Sequence, residues 1–107
     1  MSENSANSEP GSPFDSEVIR EAGDPNRLME GERPDTRFAE DCDHWIITYT
    51  ELRDFKDRLL ATARLAQESV GPAAKHETAM DIRLLSAERD RLLARLDFWQ
   101  RRKQELT

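Results

Sequence analysis

Residues Glu40 to His44 place a thiol, an imidazole and three carboxylates in five consecutive positions, followed at once by Trp45. Thiolates, imidazoles and carboxylates are the ligands of zinc sites, and a thiol beside an imidazole is the pair used in covalent cysteine catalysis. A helix would keep them apart. Successive helical residues rotate by about 100°, so Cys42 and His44 point about 160° apart and cannot share one ion. Glu40 and His44 fall at i and i+4, but two ligands leave a transition metal underfilled. Cys42 shares a stripe with Phe38, Trp45 and Tyr49, where a free cysteine behaves as a small hydrophobe. Asp41 and Asp43 suit a helix start, where carboxylates oppose the positive end of the dipole. The stretch therefore reads as the opening of a helix, and no metal or cofactor site is expected.

Two other features could carry chemistry. His76 stands between Lys75 and Glu77 near a proposed turn and reads as an exposed turn residue. Lys56 and Arg89 interrupt two apolar seams at the same level. Opposed cations need an anion or local neutralisation, and Asp54, Asp57, Glu88 and Asp90 lie close enough in sequence to supply it. The reading favoured is neutralised, snorkelling side chains; the alternative is a pocket for a small anion between helices, in a helical bundle or small all-α enzyme. The chain contains no P-loop, GxGxxG, CxxC or HExxH pattern, and a non-enzymatic role is expected.

The elements that would position these residues follow from periodicity. Among 107 residues, hydrophobic and charged types each make up 36%, a low apolar and high charged content for a globular chain. Residues 1–44 hold twelve acids and four arginines, and the remainder is close to neutral. The expectation is an acidic N-terminal arm, residues 1–34, disordered except for a short helix at 13–22 that docks through Phe14, Val18 and Ile19. A net negative chain without a basic block argues against nucleic-acid binding. No apolar run is long enough to span a membrane, and the lone Cys42 fits a reducing compartment. With thirteen arginines against three lysines, the composition fits a GC-rich bacterial source and a cytoplasmic location.

From Phe38 a heptad seam runs through Cys42, Trp45, Tyr49, Leu52, Lys56, Leu59, Ala63 and Ala66 to Val70. It stops at Gly71-Pro72, with Gly71 suited to a left-handed cap. A second seam follows, from Ile82 through Leu85, Arg89, Leu92, Leu96, Trp99 and Lys103 to Leu106. The fold class expected is all-α: a long antiparallel two-helix hairpin over residues 35–107, with helices at about 36–70 and 73–106. Trp45 would meet Phe98 and Trp99, and Phe38 would meet Leu106. Ile46, Phe55, Leu60, Leu84, Leu93 and Phe98 fall beside the seams and widen the apolar stripe. Together with Phe38, Trp45, Tyr49 and Trp99 they form the expected partner surface, completing a homodimeric four-helix bundle. The function expected is that of a self-associating adaptor or regulatory protein that recruits a protein partner through its acidic arm.

Overall fold

The computed structural model describes residues 13–107, with no strand among them. Three helices follow in order: α1 (Pro13–Ala22), α2 (Ala39–Ser69) and α3 (Pro72–Leu106). The last two form the antiparallel hairpin, and the molecule is 56 Å long, as a 35-residue helix rising ~1.5 Å per residue requires. No helix among the described residues is long and apolar enough to cross a membrane.

The heptad pattern fixes the register of the hairpin. Trp45 stacks on Trp99, with ring centroids 6.4 Å apart and planes inclined by 20°. Lys56 reaches Glu88, Asp57 pairs with Arg89, and Asp43 meets Lys103 at 2.7 Å. The core is concentrated at the open end, where Cys42, Trp45 and Tyr49 of α2 interdigitate with Leu92, Leu96 and Trp99 of α3. Phe98 packs edge-on to Trp99.

Three expectations are corrected. The first concerns Phe38, expected in the seam opposite Leu106. It is instead the extended residue capping α2 and is 66% exposed. The helix starts at Ala39, three residues later than expected, because Thr36 organises the entry: its hydroxyl accepts from the Phe38 N–H and donates to Asp41 Oδ2 at 2.5 Å. The second concerns Gly71, which has φ −75° and ψ 172°. This extended conformation does not need glycine; the turn is made by extended Val70 and Gly71 followed by Pro72 in the first turn of α3, where its missing N–H costs nothing.

The third concerns the arm. Residues 1–12 lie outside the described residues; the expected short helix over 13–22 forms and docks, but 23–34, expected to be disordered, are also folded against the hairpin. Helix α1 packs on α3 and not on α2, ending where Gly23 approaches the Ala87 carbonyl, so that a Cβ at Gly23 would lie 3.3 Å from it. Residues 23–38 then form a strap along the open end of the hairpin. Its bend is a four-residue turn closed by Glu32 N–H to Met29 C=O at 3.1 Å, with Gly31 at φ +85°. A positive φ at the third position of such a turn is the geometry that favours glycine.

The two glycines give opposite predictions. Gly31→Ala forces a side chain into the left-handed region and should cost about 1–2 kcal/mol. Gly71→Ala meets no atom within 4 Å at a φ any residue adopts, and should leave stability unchanged or raise it by about 0.4–1 kcal/mol. Urea denaturation of the two variants checks both signs.

Candidate functional site

The densest polar arrangement in the molecule is where the strap crosses the hairpin, centred on Glu32, whose side chain is fully buried. Oε1 accepts from the Tyr49 hydroxyl at 2.5 Å and from the Met29 N–H at 2.9 Å. Oε2 accepts from Trp99 Nε1 at 2.7 Å and from Arg95 Nη2 and Nε at 2.6 and 3.0 Å. A buried carboxylate is tolerated only when paired and saturated with donors, and this one has both conditions met. The strap turn brings Glu32 down between the helices, while the aromatic seam supplies two donors and α3 the counter-charge.

Two more arginines extend the clamp. Arg91, Arg95 and Arg102 fall on one face of α3, at spacings of four and seven, and grip main-chain carbonyls of the strap. Arg91 Nη2 donates to Arg27 C=O at 3.0 Å, Arg95 Nη1 to Pro25 C=O at 3.4 Å, and Arg102 Nη2 to Thr36 C=O at 2.7 Å. Arg95 also lies over the Phe98 ring, 4.5 Å from its centroid. Arg91 Nε is the one buried side-chain polar atom without a hydrogen-bond partner among the described residues.

The electrostatics follow from this packing. Burial pushes the Glu32 carboxyl up, but the hydrogen bonds from Tyr49, Met29, Trp99 and Arg95 together outweigh it and hold its pKa below the usual 4.5. The same contact works the other way on Tyr49: burial first, then the bond to the Glu32 carboxylate, push its phenol up to about 12. Burial likewise raises the Cys42 thiol. Glu32 is thus an ionised carboxylate with both oxygens engaged and no face toward water, which leaves no edge for proton transfer to a substrate.

No family model, curated protein or solved structure matches the chain.

The residues singled out by type and spacing are placed as follows. Cys42 is fully buried and His44 exposed, with the imidazole edge-on to Trp45 at 4.8 Å. His76 is exposed near the start of α3. Among the described residues no three of His, Cys, Asp and Glu gather where they could hold a metal ion. Lys56 and Arg89 do share a layer, and each is matched across the seam by a carboxylate, Glu88 at 3.0 Å and Asp57 respectively. Their charges are thereby used, which leaves the layer neutral rather than anion-seeking.

The expected partner surface divides. Trp45, Tyr49, Leu60 and Trp99 are buried within the chain and are corrected from surface to core, because the strap and the opposite helix cover them. Ile46, Leu84, Leu93 and Phe98 are half-buried, while Phe38 and Phe55 are exposed at 66% and 49%. On α1, Val18 is exposed at 38% and Ile19 is half-buried; the Phe14 side chain lies outside the described residues. The Glu32 clamp was not anticipated. Its only signal in the sequence is the recurrence of Arg91, Arg95 and Arg102 beside the Leu92–Leu96–Trp99 seam, cations on a flank that solvent alone would not select.

Two measurements test this site. Glu32→Gln leaves the Arg95 guanidinium buried without its counter-charge and should cost about 3–5 kcal/mol. Because the folded pKa of Glu32 is depressed, its contribution is present above the ordinary carboxylate value and is lost as pH falls through the folded value. Acid denaturation of the parent should therefore show a limb that is shallower in Glu32→Gln. For Cys42, a thiol reagent should label only on the timescale of unfolding; rapid labelling of the native protein would place the thiol at the surface.

Proposed function

We propose that this chain is a non-enzymatic interaction protein: a strapped helical hairpin that self-associates and offers an acidic N-terminal segment to a protein partner. The observation that carries this reading is the unequal distribution of burial along the hairpin. The open end is sealed by the strap, but between Tyr49 and Leu92 the only fully buried apolar side chain is Leu60. Over the same stretch Phe55 and Leu65 are 49% and 68% exposed, and Leu52, Leu59, Ile82 and Leu85 are half-buried. Apolar residues held at heptad spacing on a preformed helix are what a partner helix covers. A second hairpin would complete a four-helix bundle.

The recruitment half of the reading rests on charge. Glu17 and Glu21 face solvent on α1 beside the exposed Val18, and Glu3 and Glu9 precede them in the chain. Such a surface suits a basic groove on a protein partner. In a bacterial cytoplasm the chain would then act as a small adaptor or regulator.

Sedimentation equilibrium of the full chain over a wide concentration range should show a reversible monomer–dimer equilibrium. A single monomeric species throughout would remove the self-association. Deleting residues 1–12 should leave that equilibrium intact, because those residues add almost nothing apolar to bury.

A further inference from the structure

The middle of α2 carries a largely apolar, partly covered stripe that is self-complementary, with Leu52 packed at its inner edge on the core cluster. Thr48, Leu52, Phe55 and Leu59 follow at spacings of four, three and four, which places them on one face of the helix. They are half-buried, apart from Phe55 at 49% exposure. An open cleft of about 520 Å³ runs along the flank of this stripe, lined by Thr48, Glu51, Leu52, Asp54 and Arg58 of α2. Among the described residues, helix α1 packs on α3 and makes no contact with α2. Flanking the stripe on one side are Glu51 and Arg58, seven residues apart. Among the described residues neither has an ionic partner, whereas Lys56, Asp57, Glu88 and Arg89 in the same region are all paired. Arg58 lies 5.9 Å from the centroid of the Phe55 ring.

We propose that the occupant of this face is the same face of a second copy, packed antiparallel about a two-fold axis between Leu52 and Phe55. The proposal rests on the self-association reading and specifies its geometry. In an antiparallel heptad pair, core positions alternate across the seam and like flanking positions face each other. Two registers fit the stripe. With the axis between Leu52 and Phe55, Leu52 of each copy meets Phe55 of the other, and Thr48 meets Leu59. In that register Glu51 of each copy faces Arg58 of the other, giving two ion pairs. Moving the axis to lie between Phe55 and Leu59 brings Arg58 against its own symmetry mate. Like charges directly opposed are destabilising and are a common device for excluding a register, so the charges select the first arrangement.

The selected register also places Leu65, the large apolar residue with the greatest exposure at 68%, opposite His44 of the other copy. His44 lines a cleft of about 410 Å³ between the strap and α2, together with Gly31 and Trp45. The contact then runs from residue 44 to residue 65, roughly 30 Å of helix at ~1.5 Å per residue. A single helix pair of this length belongs with small, reversible interfaces rather than obligate ones.

Charge reversal in the full chain tests the register by sedimentation equilibrium at low salt. Glu51→Arg and Arg58→Glu each replace two ion pairs by two repulsions and should weaken the dimer about tenfold or more. The double variant E51R/R58E restores opposite charges and should return the affinity to near that of the parent. Both positions are exposed or half-exposed on one helix, and circular dichroism verifies that the variants fold. If the parent dimerises while both single variants do so equally well, the register is overturned and self-association stands. An Arg58→Gln variant, which removes the like-charge contact of the other axis, that dimerises more tightly than the parent overturns it in favour of that axis. A parent that remains monomeric overturns this inference and the self-association reading together.

Discussion

The structure depends on one carboxylate. Glu32 sits in a region of the core too dry for an unpaired charge, and the hydrogen bonds it accepts come from three different parts of the fold. Met29 belongs to its own turn, Tyr49 to α2, and Arg95 and Trp99 to α3. Such a group cannot be satisfied by any two elements alone. The strap turn must form, the two helices must be in register, and the two indoles must be stacked for the donors to converge. The penalty for burying an incomplete network exceeds the gain from forming part of it. The open end of the hairpin should therefore behave as one cooperative unit, while the turn end, with mainly alanines and cross-seam ion pairs, is held by weaker and more local terms.

This division explains what was legible in the amino-acid sequence. The two helices, their antiparallel register and the burial of Cys42 all follow from apolar spacing, because along α2 and α3 the dominant force acts between neighbouring turns and the facing helix. The pairing of Trp45 with Trp99 and the match of Lys56 and Arg89 in one layer follow from the same arithmetic. The strap was not legible. Asp24 to Asp35 carries proline, glycine and acids at the density of a linker, and only Met29 packs on the core cluster. Apart from the Tyr49 bond to Glu32, it is folded by polar contacts whose partners lie more than sixty residues away on α3, and no local pattern reveals a hydrogen bond of that span. Phe38 shows the converse error. Its heptad position is right, but the Thr36 hydroxyl and Asp41 set the helix entry, and the ring is turned outward.

The acidity of the N-terminal third also changes meaning. From composition alone it reads as an unfolded acidic arm, yet part of it is internal wiring: Glu32 neutralises Arg95, Asp41 accepts from Thr36, and Asp43 holds Lys103. Among the described residues, what is left outward belongs to α1 and to the exposed Asp24, Glu30, Asp35 and Glu40. An acidic stretch is thus divided between carboxylates that find partners within the fold and carboxylates that face solvent.

The three arginine contacts to the strap end on main-chain oxygens of Pro25, Arg27 and Thr36. A carbonyl is the same group whatever side chain it carries, so α3 grips the path of the strap while ignoring most of its lettering. Divergence along 24–36 is then nearly free, provided one acid, one glycine, one hydroxyl and the core-packing Met29 keep their places. A lineage could rewrite the outward side of the strap, and with it whatever that side touches, without disturbing the body that presents it.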